Sequence, residues 1–371
     1  MKRSFNPPGG SFPQEGGHRK SKKTVGIILA LVLLLTCVVS GCGKKPGSAG
    51  EVNVYNWGGP YIDESIFKDF EKETGIKVNY SEYQNNEEMY ALLRMGGSNT
   101  DVIFPSDYMV ARLIEEGMLE ELDFSNIPNY SLIDDAFKNL EYDPQGRYSV
   151  AYMTGTVGLI YNSAMISEEL TSWSSLFDDS YSGQILMFDN QRDAFGIALK
   201  YLGYSQNTID ETEIREAYDL LVGQRPVLQA YVMDQIFDKM EAGEAAIGPY
   251  YAGDYLIMRE TNEDLVFVRP VEGSNRFVDA MCITKGAKNK TNAEIFIDFM
   301  CRTDICIANM EITCYASANT EAAEQYGADM DPDDYEIMFA SDETLANCDV
   351  FTHLPADILA LYDQLWVQLK R

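Results

Sequence analysis

From residue 51 onward, short apolar runs alternate with segments in which apolar residues recur every three or four positions. Short apolar runs are typical of buried strands, and the longer period is typical of helices that bury one face. Strands and helices that alternate along a chain build α/β folds with mostly parallel sheets. The pattern therefore predicts an α/β protein, and no internal repeat is visible in it.

The first strand–helix–strand unit consists of VNVYNW, DESIFKDFEKETG and IKVNY. We interpret the outer runs as strands. The middle run predicts a helix that begins with Asp63 as its cap, buries Ile66, Phe67 and Phe70, and ends at Gly75.

The next segment, NNEEMYALLRMGG, predicts a helix that buries Met89, Leu92 and Leu93 and ends at Gly96. DVIFPSDY follows as a buried strand that stops at Pro105. The order is therefore βαβαβ, the open-sheet unit in which ligands bind beyond the carboxyl ends of the strands.

Three residues stand at such strand ends, namely Trp57, Ser106 and Tyr108. A second series of elements begins near YNSAMI, with the strand QILMFDN and the helices RDAFGIALKYLG and EIREAYDLLVG. Further helical segments are KTNAEIFIDFMCR and DICIANMEIT, and we assign Trp173 to packing. These pieces fit a two-lobed protein whose chain crosses between the lobes more than once.

The amino terminus has the pattern of a secretory signal followed by a lipid-attachment site. Residues 1–23 are basic and of low complexity, residues 24–41 are an apolar run that ends in small residues, and residues 42–50 are a flexible tether. The run VSGC resembles a bacterial lipobox, which implies cleavage before Cys42 and a lipid on its sulfur. An uncleaved membrane-spanning helix is the alternative, because residues 24–39 are nearly long enough to cross a bilayer.

The chain is strongly acidic, with a formal charge of −29. Residues 1–42 contain six Lys or Arg and one Glu, a net of +5, so the remainder carries −34. Such a surface repels nucleic acid and concentrates small cations, although acidity also keeps an exported protein in solution. Charge argues against a nucleic-acid partner and permits a cationic ligand.

Few residues are available for catalysis. The histidines are His18, in the predicted leader, and His353, and the common phosphate-loop, dinucleotide, zinc-protease and EF-hand motifs do not occur. The sequence thus predicts no enzyme, no cofactor and no metal, and an exported enzyme that uses His353 or a cysteine is an alternative. After the predicted cleavage, five cysteines besides the lipobox cysteine remain and lack zinc spacing, and we expect buried free thiols with room for one disulfide: Cys282, Cys301, Cys306, Cys314 and Cys348.

Tyrosine is abundant, with 23 copies, and acidic residues stand at strand-to-helix junctions. An aromatic face attracts an alkylammonium group by about 0.5–2 kcal/mol, and a carboxylate binds it through charge-assisted hydrogen bonds. A site that combines both suits an organic cation with apolar methylenes.

Several motifs occur in a defined order along residues 51–371: VYNWGGPY, FEKETGIKVNYSEYQNNEEMYALL, DVIFPSDYMV, TSWSSLFD, ALKYLGY and CYASAN. Together they resemble the spermidine/putrescine-binding proteins of polyamine ABC importers. The resemblance implies a two-lobed periplasmic-binding-protein-like fold of type II, with the ligand in the cleft between the lobes. Lobe 1 would hold residues 51–155 and 277–325, and lobe 2 would hold residues 156–276 and 326–371.

The resemblance also implies which residues bind the ligand. Tyr251 and Phe277 stand where the family commonly has tryptophan, and Asn190 replaces one of two family acids, the other being Asp193. Asp279 lies inside the apolar stretch FVDAMCI, where an unpaired carboxylate is costly. The full implied set is Trp57, Tyr61, Ser106, Tyr108, Asn190, Asp193, Tyr251, Phe277, Asp279 and Tyr315.

The expected function is the capture of putrescine or spermidine and its delivery to ABC permease subunits by a lipid-anchored monomer outside the cytoplasmic membrane. The neutral Asn190 leaves fewer charges for a third ammonium, which favours putrescine at least as much as spermidine, although Asp189 could substitute. The alternative is a ferric-iron or other small-cation binding protein of the same fold. The adjacent Tyr250 and Tyr251 are similar to the paired phenolates of ferric-binding relatives.

Overall fold

The computed structural model describes residues 50–96 and 99–371, so that Cys42 and the predicted leader and lipobox lie outside the described residues. Strands and helices alternate over most of this range, as the apolar pattern predicts. The strands are β1 (Gly50–Trp57), β2 (Ile76–Tyr83), β3 (Val102–Ile103), β4 (Ser149–Asn162), β5 (Ile185–Phe188), β6 (Leu228–Val232), β7 (Ile247–Tyr251), β8 (Leu265–Val268), β9 (Ser274–Ile283), β10 (Ala316–Ser317) and β11 (Cys348–Asp349).

The α-helices follow the strands and cover the faces of the sheets. They are α1 (Ile66–Thr74), α2 (Asn86–Arg94), α3 (Asp107–Glu115), α4 (Gln191–Tyr201), α5 (Glu211–Gln224), α6 (Gln235–Glu241), α7 (Ala252–Thr261), α8 (Lys290–Met300), α9 (Thr303–Thr313), α10 (Thr320–Gly327), α11 (Pro332–Met338), α12 (Asp342–Leu345) and α13 (Ala356–Leu369). Short 3-10 helices lie at Phe124–Asn126, Pro128–Leu132, Asp135–Phe137, Trp173–Phe177 and Asp179–Tyr181.

The strands form two parallel groups joined by antiparallel strands. The order is β2-β1-β3-β9-β4-β7-β5-β6, in which β2, β1 and β3 run parallel to one another, as do β7, β5 and β6. β9 and β4 pair antiparallel to each other and to their neighbours β3 and β7. The expectation of mostly parallel sheets is therefore wrong for the centre of the molecule, because β4 and β9 are not joined to their partners by single helical crossovers.

The long strand β4 changes partners along its length. Residues 149–156 pair with β9, whereas residues 157–162 pair with β7 and β8. Strands β4 and β9 thus carry the chain between the two parallel groups, as expected for a fold that crosses over more than once.

Helix α1 buries the predicted face, since Ile66, Phe67 and Phe70 are all buried. Its cap differs from the prediction, because Ser65 is the N-cap residue. Asp63 lies two residues earlier, where its Oδ1 accepts a hydrogen bond of 2.9 Å from the amide of Ser65. The carboxylate therefore stabilises the turn that leads into the helix.

Helix α2 buries a different stripe from the predicted one. Met89 is buried as expected, but Tyr90 is buried with it, whereas Leu92 and Leu93 are only half-buried. The tyrosine is covered because its ring packs 3.7 Å from the guanidinium of Arg112 on α3. The prediction considered apolar residues alone and therefore missed this contact.

The packing assignments are confirmed. Trp173 is buried, and its Nε1 donates a hydrogen bond of 2.9 Å to the carbonyl of Gly273. The cysteines of the described residues are free thiols, and Cys314 is half-buried while the other four are buried. Within the described part of the chain, no helix has the length and apolar character needed to cross a membrane.

Candidate ligand-binding cleft

A cleft opens where the carboxyl ends of β1, β5, β6 and β7 meet the crossing strand β9. It contains about 770 Å³ of space free of protein atoms, counting its solvent-open mouth. The structure brings together all ten residues that the sequence singled out, and every one lines this cleft: Trp57, Tyr61, Ser106, Tyr108, Asn190, Asp193, Tyr251, Phe277, Asp279 and Tyr315.

Strand β1 ends at the cleft with Trp57, whose Nε1 donates a hydrogen bond of 2.8 Å to the carbonyl of Phe104. The chain then turns through Gly58 and Gly59. Gly59 has a φ of 74°, a conformation that side chains with a Cβ rarely adopt. The amide of Tyr61 closes the turn by donating to the carbonyl of Gly59 at 2.9 Å. The turn delivers two aromatic side chains from one strand end.

Asp279 lies on β9 at the floor of the cleft. Its Oδ2 accepts a hydrogen bond of 2.6 Å from the hydroxyl of Tyr61, but its Oδ1 is buried and has no hydrogen-bond partner among the described residues. Burial raises the pKa of the carboxyl to about 6. A buried carboxylate oxygen without a partner is costly in the free protein, and a ligand cation would remove that cost.

Asp193 lies in the first turn of α4, directly after β5. Asn190 caps this helix, since its side chain accepts a hydrogen bond of 3.0 Å from the amide of Arg192. The carboxylate of Asp193 accepts a hydrogen bond of 2.9 Å from the hydroxyl of Tyr251 at the end of β7. Burial raises the pKa of Asp193 to about 7.

Two further carboxylates, missed in the sequence, line the same cleft. Asp254 in the first turn of α7 accepts a hydrogen bond of 2.7 Å from the hydroxyl of Tyr315, and burial raises its pKa to about 7. Asp234, which follows β6, accepts a longer one of 3.4 Å from the hydroxyl of Tyr250. Each of these acids is oriented by a phenol, as Asp193 and Asp279 are.

The fifth carboxylate is that of Asp107, at the start of α3. It accepts hydrogen bonds from the amides of Tyr108 at 2.7 Å and of Val278 at 3.2 Å, and burial raises its pKa to about 8. Nearby, the side-chain amide of Asn86 donates to both Ser106 and Tyr108, at 3.2 and 3.1 Å. This network fixes Ser106 and Tyr108, two of the predicted site side chains.

The walls of the cleft are aromatic. Ring centroids are 6.4 Å apart between Trp57 and Tyr61, 5.5 Å between Tyr61 and Tyr315, 5.8 Å between Tyr315 and Phe277, and 5.6 Å between Phe277 and Tyr251. These rings form a continuous apolar lining between the carboxylates. The geometry suits a chain of methylenes that carries a cation at each end.

The residues that sequence reasoning missed also follow strand ends or come from the carboxyl-terminal tail. Asp254 is three residues beyond Tyr251, and Asp107 stands between Ser106 and Tyr108, so the strand-end rule could have identified both. Asp234 could have been identified only if LQAYV had been predicted as a strand, and this run has no clear alternation of apolar and polar residues. Phe351 reaches the cleft from a distant segment and carried no sequence signal.

The described residues that line the cleft include five aspartates and no lysine or arginine. Carboxylates that line a cleft without a basic side chain among them create a negative potential. They suit ammonium groups, which donate several hydrogen bonds each.

The geometry of the cleft supports binding of a ferric ion less well than binding of an organic cation. Burial, followed by nearby carboxylates, raises the pKa of Tyr250 and of Tyr251 well above the usual phenol value, which disfavours the phenolate form that a ferric ion needs. Their hydroxyls point to different acids, Asp234 and Asp193. In the described parts of the chain, no cluster of three His, Cys, Asp or Glu side chains is arranged to hold a metal ion.

The residues considered for an enzyme lie elsewhere. His353 lies outside the cleft lining, with its Nε2 3.3 Å from Glu115, and burial lowers its pKa. None of the five described cysteines lines the cleft, and burial raises the pKa of each thiol. Such thiols are poor nucleophiles.

Comparison with known proteins assigns the chain to a family. Residues 65–340 match the family described as "Bacterial extracellular solute-binding protein". The spermidine/putrescine-binding periplasmic protein of Escherichia coli K12 is 32% identical over 342 residues, which cover 91% of this chain and 97% of the relative.

Solved structures agree. A putative spermidine/putrescine ABC transporter protein from Listeria monocytogenes is 35% identical, with a TM-score of 0.81 over 86% of this chain and 98% of that one. The Tp0655 (TpPotD) lipoprotein of Treponema pallidum is 27% identical, with a TM-score of 0.76 over 86% of this chain and 99% of that one. The predicted fold class and the resemblance to the spermidine/putrescine-binding proteins are confirmed, and the chain belongs to the family of bacterial extracellular solute-binding proteins.

Proposed function

We propose that this protein captures a polyamine such as putrescine or spermidine outside the cytoplasmic membrane and delivers it to an ABC permease, without catalysing a reaction. One observation carries the proposal. Five aspartates and a continuous aromatic lining share one cleft whose described lining residues include no basic side chain. Polyamines combine two or more ammonium groups with apolar methylenes and are the small molecules that match both features.

The carboxylates fall into two groups, which provide a site for each end of the ligand. Asp279 acts electrostatically on both Asp193 and Asp107, while Asp234 acts on Asp254. An ammonium would bind Asp279 and Asp193 at one end, and a second ammonium would bind Asp254 and Asp234 at the other. The intervening methylenes would pack against the rings of the lining.

Closure of two lobes around the ligand would exclude water and strengthen these charge contacts. We assign lobe 1 to residues 51–155 and 277–325 and lobe 2 to residues 156–276 and 326–371. The partner change along β4, between residues 156 and 157, supports the first of these boundaries. The crossing strands β4 and β9 would act as the hinge.

We further propose that the protein acts as a lipid-anchored monomer. The support is the lipobox pattern that ends at Cys42, together with the Treponema pallidum relative, which is described as a lipoprotein. The relative from Escherichia coli is described as periplasmic. Mass spectrometry of the membrane fraction would detect a diacylglyceryl group on Cys42, and a mature chain that keeps residues 1–41 would contradict the anchor.

A thermal-shift screen of the chain from residue 43 onward tests the function. The screen compares polyamines with amino acids, sugars and metal ions, because a ligand specific to the folded state raises the melting temperature. We expect putrescine and spermidine to stabilise the protein and the other classes to have no comparable effect. Stabilisation by ferric iron with a visible tyrosinate band, and none by polyamines, would support the iron-binding alternative instead.

A further inference from the structure

A buried amide lines the ligand-binding cleft without a hydrogen-bond partner. Asn275 on β9 is only 5% exposed, and its Oδ1 is buried with no partner among the described residues. Its Nδ2 makes no hydrogen bond to a described residue either. The amide can therefore turn its oxygen toward the cleft without losing a hydrogen bond to the described part of the chain. A buried polar group in this state destabilises the ligand-free protein.

The position of Asn275 on its strand explains why it faces the cleft. Successive side chains of a strand point to opposite faces, so Asn275, Phe277 and Asp279 share one face of β9. All three line the cleft, whereas Arg276 and Val278, which alternate with them, do not. Asn275 therefore stands in line with a ring and a carboxylate that we assign to the site.

Asn275 lies at the end of the cleft that contains Asp193. The far end of β9 pairs with β3. At its start, the hydroxyl of Ser274 donates a hydrogen bond to the carbonyl of Val157, where β4 begins to pair with β7. Helix α4, whose first turn carries Asp193, follows β5 of the same parallel group and packs against β9. The amide is therefore within the half of the cleft where we place the first ammonium.

The tyrosine and tryptophan donors of the cleft are already engaged. Each of the five tyrosines that line it donates to a carboxylate: Tyr61 to Asp279, Tyr108 to Glu87, Tyr250 to Asp234, Tyr251 to Asp193 and Tyr315 to Asp254. The indole of Trp57 donates to the carbonyl of Phe104. These groups are not available to the oxygen of Asn275, whereas a ligand ammonium brings three donors.

We propose that Asn275 is a further ligand-binding residue, which accepts a hydrogen bond from the ammonium held by Asp193. Its amide oxygen adds an acceptor to this end of the cleft without adding a negative charge to the five aspartates of the lining. A carboxylate and an amide carbonyl together satisfy more of the ammonium donors than Asp193 does alone. The inference rests on the proposed polyamine function and extends its site by one residue.

Two variants separate the acceptor from packing. Asn275→Leu removes the acceptor and keeps a branched side chain, and Asn275→Ala removes the acceptor without adding bulk. We expect each to raise the dissociation constant for putrescine, measured by calorimetry, about tenfold, the size of one hydrogen bond to a charged group. The melting temperature of ligand-free Asn275→Leu should not fall, because the substitution removes a buried polar group that has no partner among the described residues.

Gln206→Met is the matched control. Gln206 is also buried with a side-chain oxygen that lacks a partner among the described residues, but it does not line the cleft. The control should leave the affinity for putrescine unchanged. If Asn275→Leu does not fold, Asn275→Val takes its place, since it is apolar and smaller.

The other outcomes overturn this inference in ways that can be told apart. Unchanged affinity in both folded variants removes Asn275 from the site, and a lower melting temperature with it indicates a structural role. Weakening by Asn275→Ala alone indicates apolar packing, and weakening by Asn275→Leu alone indicates a steric block. Each of these results leaves the proposed function standing, whereas failure of the unaltered protein to bind putrescine overturns the proposed function itself.

Discussion

Four of the five aspartates that line the cleft accept a hydrogen bond from a tyrosine hydroxyl, and this pairing explains how these acids can be buried without a basic partner. Tyr61, for example, donates to Asp279 at 2.6 Å and so offsets part of the cost of burying that carboxylate. The second oxygen of Asp279 stays without a partner among the described residues. A ligand cation could bind this oxygen, while the hydroxyls of Ser106 and Tyr61 favour the ionised form of the carboxyl.

Asp279→Asn should weaken polyamine binding by about 2–5 kcal/mol, because it removes one member of a buried charge pair. Asp189→Asn is the matched control, since Asp189 forms an exposed ion pair with Lys370 outside the cleft. Calorimetric titration of both variants checks the expectation. Equal affinities for the Asp279 variant and the unaltered protein would remove this residue from the site.

The raised pKa values predict that ligand binding releases protons. Burial raises the pKa of Asp193 and of Asp254 to about 7 and that of Asp279 to about 6, whereas the same groups have a pKa near 3.8 when exposed. A bound ammonium favours the carboxylate, so affinity should rise as pH increases from about 5.5 to 8. Titrations in buffers of different ionisation enthalpy would measure the released protons, and pH-independent affinity would contradict the prediction.

The raised pKa values of these aspartates also make the stability of the ligand-free protein depend on pH. In the ligand-free protein the folded state binds these protons more tightly than the unfolded chain, so its free energy of unfolding should fall as pH rises from about 4 to about 7. The ligand removes this penalty. The increase in melting temperature on adding putrescine should therefore be larger at pH 8 than at pH 5.5, and the reverse order would contradict the assigned cause.

At the scale of single elements, a cleft residue could be predicted from the sequence when the strand before it was easy to recognise. Cleft residues that follow a weakly patterned strand, or that come from the tail, were missed. Trp57, Ser106 and Asp193 follow apolar runs that are easy to recognise, so their convergence on one edge could be expected. Asp234 follows β6, whose apolar pattern is weak, and Phe351 depends on tertiary packing of the tail. Periodicity also carries no information on strand direction, and so the antiparallel crossing of β4 and β9 was not predicted.

The turn after β1 leads to a test of closure. A Cβ on Gly58 would lie 2.6 Å from Gln84 Nε2 and 3.3 Å from Asp234 Oδ2, so Gly58→Ala should displace the ends of these two cleft-lining side chains and weaken ligand binding. Gly223→Ala in α5 is the control, because a Cβ there meets no atom within 4 Å. Stopped-flow fluorescence would show faster ligand release from the Gly58 variant alone, and matching release rates would argue against crowding.

At the scale of the whole molecule, the acidic cleft lies within a chain that carries −34 beyond residue 42. This charge attracts polyamines over distances comparable with the Debye length, so association should slow as salt increases. The crossing strands would let the two assigned lobes move relative to each other while the parallel groups stay intact. Capture would then depend on electrostatic attraction first and on closure afterwards.

Closure should be visible in solution. Small-angle scattering should give a smaller radius of gyration with saturating putrescine than without it, because the assigned lobes approach each other around the ligand. Asp279→Asn at the same putrescine concentration serves as the control and should change less. An identical radius for the free and loaded protein would contradict a hinged mechanism.

Calorimetric titration with putrescine and with 4-aminobutyrate tests the central claim most directly. Both molecules contain four carbon atoms, but 4-aminobutyrate ends in a carboxylate where putrescine has a second aminomethyl group, and the proposed site needs a cation at both ends. We predict saturable one-to-one binding of putrescine and no measurable binding of 4-aminobutyrate. Binding of both with similar affinity, or of neither, would contradict a site built from two groups of carboxylates.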